Sequence, residues 1–300
     1  MTISSGNLTF TWDSHWANLP DTVHPGYSHG VSVDRAGKVY VFNQSNYPVL
    51  IFEEDGSFLG TWKQFPGERF LGAHGMTLTE ENGEQYFWLT DQYSGEVVKT
   101  TLDGETVQTL AKPEHPAYRD ESAQYAPTWV AVSPEEGAVF VADGYGMSLI
   151  HKYDSSGNYL SAIDGTEGLG RFTCPHGIWI GRRPEATGSE KPVLYVTDRG
   201  NHRIQVFELI GTFIKGFYQD FPCSFADGPE GEMVIPDLHG FINIYDAKDL
   251  PIGSKLGDNQ HDIVEHHGWP NIPHRLRQEG KFNSPHGCSY DAHGNIYIVE

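Results

Sequence analysis

Residues 174–180 read CPHGIWI and residues 195–207 read YVTDRGNHRIQVF, and these two stretches contain the pattern that decides the fold. The first begins an alternating strand with a His-Gly pair, and the second joins two further strands through a polar turn at Asp198. Alternation of apolar and polar residues over a few positions is typical of a half-buried β-strand. The two stretches therefore predict a unit of short antiparallel strands.

The same unit recurs six times along the chain. Its first strands open at His29 (HGVSVD), His74 (HGMTLT), Thr128 (TWVAVS), His176 (HGIWIG), Cys223 (CSFADG) and His286 (HGCSYD). Its second strands end at Asn43, Asp91, Asp143, Asp198, Asp237 and Glu300. Most third strands run into a glycine turn, which favours hairpins because glycine adopts positive φ at little cost. Repeats of this length that close into a ring hide their strand edges, as in a β-propeller.

We therefore predict an all-β protein with one domain over residues 1–300, a six-bladed β-propeller with four-stranded antiparallel blades. Residues 8–13 (LTFTWD) are predicted to be the N-terminal strand that closes the sixth blade. Only two strands of that blade precede Glu300, so we expect the chain to be truncated there. Residues 250–281 are predicted to be a long insertion between blades, and a lid over a site and a plain surface loop both remain open for it.

Composition narrows the set of partners. The net charge of -20 repels nucleic acid and anionic membranes. No stretch approaches the roughly 18 consecutive apolar residues of a membrane helix. We therefore expect a small-molecule or peptide substrate, with neither nucleic acid nor membrane as a partner. The sequence gives no basis for predicting the oligomeric state.

The cysteines and the N-terminus favour a cytoplasmic protein. There are only three cysteines, and a small, odd number of cysteines does not indicate a disulfide framework. The N-terminal residues MTISSGNLTFTWD contain neither a basic nor an apolar segment of a signal peptide. A leader that had already been removed would leave the same sequence.

The starts of the six first strands are the candidate functional positions. In a propeller these strands line the central axis, so equivalent residues form a ring at one mouth. His74, His176 and His286 occupy alternate blades and are related by approximate threefold symmetry. Three neutral imidazoles with open positions beside them are typical of a catalytic metal site, with zinc favoured and iron(II) also suitable. The alternative is that each His-Gly pair is only the start signal of a strand.

Three further residues are assigned near the same mouth. His29 begins the first blade and could be a fourth ligand, a substrate contact or a plain repeat residue, and we favour the last two. His239 follows the fifth second strand and is predicted to reach the substrate. Cys223 could face the channel as a soft ligand, but a buried inert thiol is the favoured interpretation.

Several stretches carry a resemblance to a known family. They are LGAHGMTLT, WLTDQYSGEVVKT, APTWVAVSPEEGAVFVADGYG, CPHGIWI, YVTDRGNHRIQVF and SPHGCSYDAHGNIYI. From about His29 to Glu300 the chain resembles the catalytic core of peptidyl-α-hydroxyglycine α-amidating lyase, a six-bladed propeller of NHL repeats with a three-histidine zinc site. The resemblance implies that His74, His176 and His286 are the metal ligands.

The resemblance also implies two catalytic residues. Tyr145, in the turn Asp143-Gly144-Tyr145, matches the family's catalytic tyrosine and would act as general base, because a nearby cation favours the phenolate. Arg199 matches an arginine that would bind a substrate carboxylate or developing negative charge. From the residues alone, a tyrosine packed at the blade mouth and an arginine paired with Asp198 remain open.

The chain departs from the family at two positions that matter. Gln44 stands where the family has a catalytic arginine, so we assign it to substrate binding only. Gly287 follows the last metal histidine where the family has an acidic calcium ligand, which argues against a structural calcium. The family's disulfide cysteines are also absent, since Gly146 follows Tyr145.

These observations favour a metal-dependent lyase that acts on a small or peptidic hydroxylated or carbonyl substrate. The alternatives are a metal-dependent hydrolase of an ester, lactone or amide, and a non-catalytic NHL-propeller binding module. A calcium-dependent lactonase of the gluconolactonase type would need carboxylates and amides where this chain has histidines.

Overall fold

The computed structural model describes residues 1–62, 71–259 and 277–300, and it is built almost wholly from antiparallel β-strands. The predicted all-β class is therefore confirmed. An N-terminal hairpin of β1 (Thr2–Ser5) and β2 (Leu8–Thr11) precedes the propeller. In the described ranges no helix is long and apolar enough to cross a membrane.

Four sheets of four strands follow in chain order, each a meander that starts at the axis. The first holds β3 (Ser28–Val33), β4 (Val39–Asn43), β5 (Val49–Phe52) and β6 (Phe58–Thr61). The second holds β7 (Ala73–Glu81), β8 (Glu84–Asp91), β9 (Glu96–Thr101) and β10 (Thr106–Thr109). The third holds β11 (Trp129–Val132), β12 (Val139–Asp143), β13 (Leu149–Tyr153) and β14 (Tyr159–Ile163). The fourth holds β15 (Pro175–Gly181), β16 (Val193–Asp198), β17 (Arg203–Glu208) and β18 (Phe213–Tyr218).

The fifth blade is less regular. It comprises β19 (Ala226–Asp227), β20 (Met233–Asp237) and β21 (Phe241–Tyr245), and bridges from β21 to Pro251 and Leu256 supply its outer edge. Three further pieces complete the described secondary structure. They are the parallel pair β22 (Asp258–Asn259) and β23 (Lys281–Phe282), the antiparallel pair β24 (Gly287–Tyr290) and β25 (Ile296–Val299), and one-turn helices at Pro116–Tyr118, Pro184–Thr187 (α1) and Arg199–Asn201.

The ring of axial strands continues from the fifth blade back to the first. Strand β24 contacts both β19 and β3, and the Ser28 amide donates to the Glu300 carbonyl at 3.1 Å. The described residues thus form five blades and a two-stranded sheet between the fifth and the first. Six complete blades are not seen in this part of the chain.

The N-terminal strand does not close the ring as predicted. Strand β2 pairs with β1, and the hairpin is anchored by Ser5 Oγ, which donates to the carbonyls of Ile252 and Ser254. Its apolar side chains pack into the core between the fifth blade and β24–β25. The alternating pattern of LTFTWD is therefore satisfied by packing against this core, and no pairing of β2 with β25 supports the predicted closure.

The polar residue that ends the second strand has a common structural role in five of the six repeats. Asp91 accepts from the Gly72 amide at 3.1 Å, and Asp143 accepts from the Ala126 amide at 2.8 Å. Each carboxylate thus holds the segment that precedes the axial first strand of its own blade. Asn43, Asp198 and Glu300 act alike on Gly26, Thr173 and Ser284. The sixth equivalent, Asp237, instead accepts from the His239 amide and from Lys255.

Residues 260–276 of the predicted insertion 250–281 lie outside the described residues, so the structure does not test whether the insertion is a lid. Its two ends form β22 and β23, which pair in parallel. The core itself lies between neighbouring blades, for example where Phe42, Trp62 and Phe87 meet between the first and second.

Candidate metal centre

Three histidine rings meet on the axis at one mouth of the propeller. The Nε2 atom of His176 lies 3.1 Å from Nε2 of His74 and 3.1 Å from Nε2 of His286. All three side chains are buried, and the ring centroids are 4.6–4.8 Å apart. The structure thus brings together the three histidines that the sequence predicts to be ligands.

The other nitrogen of each ring fixes its tautomer. The Nδ1 atoms of His74, His176 and His286 lie 2.7, 2.8 and 3.1 Å from the backbone carbonyls of Thr128, Cys223 and His29. A carbonyl oxygen can only accept, so each Nδ1 carries the proton and donates it. In a neutral imidazole the Nε2 atom is then unprotonated and carries a free lone pair. Three lone pairs therefore face one point at the axis, and a cation placed between them would relieve their repulsion.

Burial keeps these rings in the form that binds metals. Desolvation lowers the pKa of His74, His176 and His286 well below the usual value, because the charged imidazolium loses its hydration. Arg199 lowers the pKa of all three further. Neutral imidazoles are the ligands that divalent transition metals require.

The glycine after each of these histidines is explained by the same carbonyls. A Cβ on Gly75, Gly177 or Gly287 would lie 2.5, 2.3 or 2.4 Å from the carbonyl that the preceding imidazole donates to. The two residues of the His-Gly pair thus act on the same carbonyl of the next blade: the glycine leaves space for it, and the histidine donates a hydrogen bond to it. This explains the pair better than a strand-start signal alone.

We expect the substitution Gly177→Ala to lower the free energy of unfolding by about 3 kcal/mol, because the new methyl group meets backbone that cannot move aside. Urea denaturation measures the change. The comparison is Gly294→Ala, where nothing lies within 4 Å of the added Cβ and the cost comes only from its positive φ of +84°, a strain that Gly177 does not share. Equal losses in the two variants would show that the contact with the Cys223 carbonyl is unimportant.

Tyr145 and Arg199 complete the mouth of the site. The Tyr145 hydroxyl lies 3.3 Å from Nε2 of His74 and 3.1 Å from Nε2 of His176. Arg199 donates through Nη2 to that hydroxyl at 3.1 Å. Burial raises the pKa of Tyr145 to about 12, with Arg199 acting in the opposite direction. Of the two residues assigned by resemblance, Tyr145 therefore contacts the histidine cluster directly, and Arg199 is joined to it through Tyr145.

Arg199 is buried without a carboxylate partner among the described residues, and its Nη1 has no hydrogen bond there. The alternative in which it pairs with Asp198 is wrong, because Asp198 instead accepts from Arg203 Nε at 2.6 Å. A buried guanidinium with a free donor group is suited to an anionic group of a ligand.

The three predicted substrate-binding residues lie at the same mouth at different depths. His29 stacks on His74 with centroids 4.7 Å apart, and its buried Nδ1 has no hydrogen-bond partner. Burial lowers the pKa of His29 to about 4. Gln44 donates to the Ala73 carbonyl at 3.3 Å, directly before His74. His239 is half exposed, stacks on Phe221 and lies 3.5 Å from an Asp220 carboxylate oxygen.

Two further residues frame the site, and one of them, Trp129, was not identified from the sequence. The buried Cys223 sulfur lies within 4.8 Å of ring nitrogens of His176 and His286, and burial raises the pKa of its thiol to about 12, in keeping with the inert thiol that the sequence favours. Trp129 lies beneath the cluster, its ring centroid 6.3–6.5 Å from those of the three histidines. It occupies the position after the axial residue where four other blades have glycine, and that contrast was the available signal.

The turn that carries Tyr145 is supported by a buried network from the segment 111–126. The Tyr118 hydroxyl donates to Asp143 at 2.6 Å and lies 2.8 Å from Nε2 of His151. Burial lowers the pKa of His151 to about 3. His151 is thus neutral in the folded protein throughout the physiological range.

This network predicts a pH dependence of stability. The folded pKa of His151 lies below its unfolded value of about 6.5, so the unfolded state takes up the extra proton and stability falls as pH drops below 6.5. Between pH 6.5 and 5 this group alone should cost about 2 kcal/mol. In His151→Phe the fall in unfolding free energy from pH 7 to pH 5 should be smaller by that amount. An unchanged fall, measured by urea denaturation, would contradict a neutral buried His151.

The donor set fits some metals and not others. Three neutral imidazoles, with a tyrosine hydroxyl and a thiol close by, suit zinc or iron(II). Calcium needs several oxygen ligands, and the six axial residues supply no carboxylate. A carboxylate at position 287 is blocked by the His29 carbonyl, so the residues do not fit the structural calcium of the resembled family.

Comparison with known proteins agrees with the β-propeller fold. Residues 193–207 match the family model described as NHL repeat. The solved structure of a streptogramin B lyase superposes with a TM-score of 0.60 at 13% identity over 93% of this chain and 92% of that one. A gluconolactonase from Xanthomonas campestris gives a TM-score of 0.60 at 12% identity over 99% and 94%. At such identities the likeness shows the fold alone.

Particular relatives are found by sequence. The chain is 29% identical to NHL repeat-containing protein 3 of Homo sapiens, over 77% of this chain and 69% of that protein. It is 32% identical to a probable peptidyl-alpha-hydroxyglycine alpha-amidating lyase of Caenorhabditis elegans, over 60% and 52%. It is 31% identical to peptidylglycine alpha-amidating monooxygenase of Rattus norvegicus, over 76% and 22%. The predicted resemblance is thus confirmed at modest identity, and the alignments span from 22% to 69% of these relatives.

Proposed function

We propose that the protein is a metal-dependent lyase whose axial site holds one divalent transition metal, zinc in preference to iron(II), on His74, His176 and His286. The observation that carries the proposal is the convergence of three Nε2 lone pairs, each fixed by an Nδ1–carbonyl hydrogen bond. Such a cation would act as a Lewis acid on a substrate hydroxyl or carbonyl oxygen. We also propose that β24 and β25 are the inner strands of a sixth blade.

The chain's own residues supply the rest of the chemistry. Tyr145 is placed to take a proton from a substrate hydroxyl bound beside the histidines, and its hydroxyl is held by Arg199. The free side of the Arg199 guanidinium binds a substrate carboxylate or developing negative charge. His29 and Gln44 line the approach to the cluster, with His239 farther out.

The reaction class follows from this arrangement and from the names of the relatives. In an N-acyl-α-hydroxyglycine the hydroxyl loses its proton, a C=O bond forms, and the C–N bond breaks. The nitrogen then takes up a proton. The products are a primary amide and glyoxylate, and no water is consumed. The substrate's carboxylate matches the unpaired Arg199.

Two other functions remain candidates. A hydrolase of an ester, lactone or amide would use the same metal and the same tyrosine. The similarity to NHL repeat-containing protein 3 and the neutral Gln44, which cannot replace a cation, are the observations that speak for a non-catalytic binding module.

The test is product formation at about pH 6, with an enzyme-free blank that corrects for spontaneous breakdown. Zinc-loaded and iron-loaded protein is incubated with N-benzoyl-α-hydroxyglycine, and benzamide is measured by chromatography. We expect metal-dependent benzamide formation that a chelator abolishes. Turnover of p-nitrophenyl acetate or γ-lactones alone would instead support the hydrolase. Fully loaded protein without any turnover would support the binding module.

A further inference from the structure

The propeller has a second axial chamber, on the opposite side of Trp129 from the histidines. It is a cavity of about 330 Å³, lined by strands of every blade and of the β24–β25 sheet. Its lining is mixed: Trp129 forms the end wall, and Val31, Met76, Ile178, Phe225 and Cys288 are apolar. Ser32, Thr77, Thr79 and Ser289 add polar groups. This volume lies at the lower end of the ~300–1,000 Å³ typical of small-molecule sites.

Trp129 separates this chamber from the metal centre. A Cβ on Gly75 would lie 3.1 Å from the indole, so the glycine of the neighbouring blade makes room for the ring. The indole contacts the histidine rings on one side and lines the cavity on the other. The chamber is therefore a compartment of its own, reached from the other mouth, where Val33 and Leu78 are only partly buried.

The rim of the chamber is negatively charged. Asp227 lines the cavity and is exposed, and it has no ion pair within the described residues. A Cβ on the adjacent Gly228 would lie 2.6 Å from a Glu232 carboxylate oxygen and 3.0 Å from the Tyr290 ring, which places Glu232 at the same rim. Burial raises the pKa of Asp227 and the charge of Arg183 opposes this, but Arg183 is itself buried and bound to Asp249 at 2.6 Å.

We propose that this chamber is a second binding site, for a small amphipathic organic cation. The apolar or aromatic part of the ligand lies in the cavity against Trp129 and Phe225, and its ammonium group pairs with Asp227 at the rim. The site does not depend on the proposed lyase activity, because Trp129 separates the two compartments.

The experiment is a calorimetric titration of the whole protein with 2-phenylethylammonium and, for comparison, 3-phenylpropionate, which has a similar body and the opposite charge. We expect saturable binding of the cation and at least tenfold weaker binding of the anion. Asp227→Asn should weaken cation binding roughly fivefold, whereas Asp103→Asn, at an exposed outer turn, should leave it unchanged. His176→Ala should also leave it unchanged, which separates this site from the metal centre.

Two variants that fill the chamber test the location. Ala131→Phe occupies the inner wall, and Val33→Trp occupies the partly buried rim, so that at least one is expected to fold. In a variant with native circular dichroism, cation binding should be lost. Binding that survives in such a variant, or the absence of saturable binding to the unmodified protein, would overturn the proposal and leave a solvent-filled channel.

Discussion

Replacement of His176 by alanine is expected to abolish metal binding at the axis. The Nε2 atom of His176 lies 3.1 Å from each of the other two Nε2 atoms, so its loss leaves two ligands where three converged. Loss of a partner that merely supports a ligand typically lowers metal affinity roughly 10–100-fold. Loss of the ligand itself should lower it at least ~100-fold. Competition with a chromogenic chelator measures the affinity, and elemental analysis measures the stoichiometry.

The matched control is His151→Ala. His151 is as fully buried as His176, but its Nε2 lies 2.8 Å from the Tyr118 hydroxyl instead of facing the axis. Its replacement should reduce stability and leave metal binding intact. Equal retention of metal in both variants would contradict the three-histidine site.

The second large effect is expected from Tyr145→Phe. The variant keeps the ring that packs beside His74 and His176 and removes only the hydroxyl. If that hydroxyl moves the proton, kcat should fall by roughly 10²–10⁴, the usual contribution of general acid–base catalysis. Metal stoichiometry should not change, because the three imidazoles remain in place.

Tyr118→Phe serves as the control. Its hydroxyl bonds to Asp143, two residues before Tyr145, but has no contact with the histidine cluster among the described residues. If Tyr145 only stabilised the turn, both variants would lose the same amount of activity. The proposed chemistry requires the large loss in Tyr145→Phe only, with benzamide formation as the readout.

The repeat made the axial cluster predictable from the sequence. His74, His176 and His286 are far apart in the chain, yet their equivalent places at the starts of alternate blades put them on one axis. Their hydrogen bonds follow the same symmetry, since each Nδ1 donates to the next blade's axial carbonyl. Residue spacing alone could not show that the glycine after each histidine is required by that carbonyl.

Other features depended on contacts that a sequence pattern does not specify. The alternation in residues 8–13 predicts a strand but does not identify the strand with which it pairs. In the structure that partner is β1. The choice of Asp198 between Arg199 and Arg203 depended on side-chain direction within a single turn. Trp129 marks the axis only because the neighbouring blade has Gly75 beside it.

The central claim is that the three axial imidazoles hold a metal ion, and anomalous diffraction from crystals grown with zinc tests it most directly. The account predicts one strong anomalous peak at the zinc absorption edge, about 2.0–2.1 Å from Nε2 of His74, His176 and His286. Crystals soaked in zinc that show no peak between these nitrogens would contradict it.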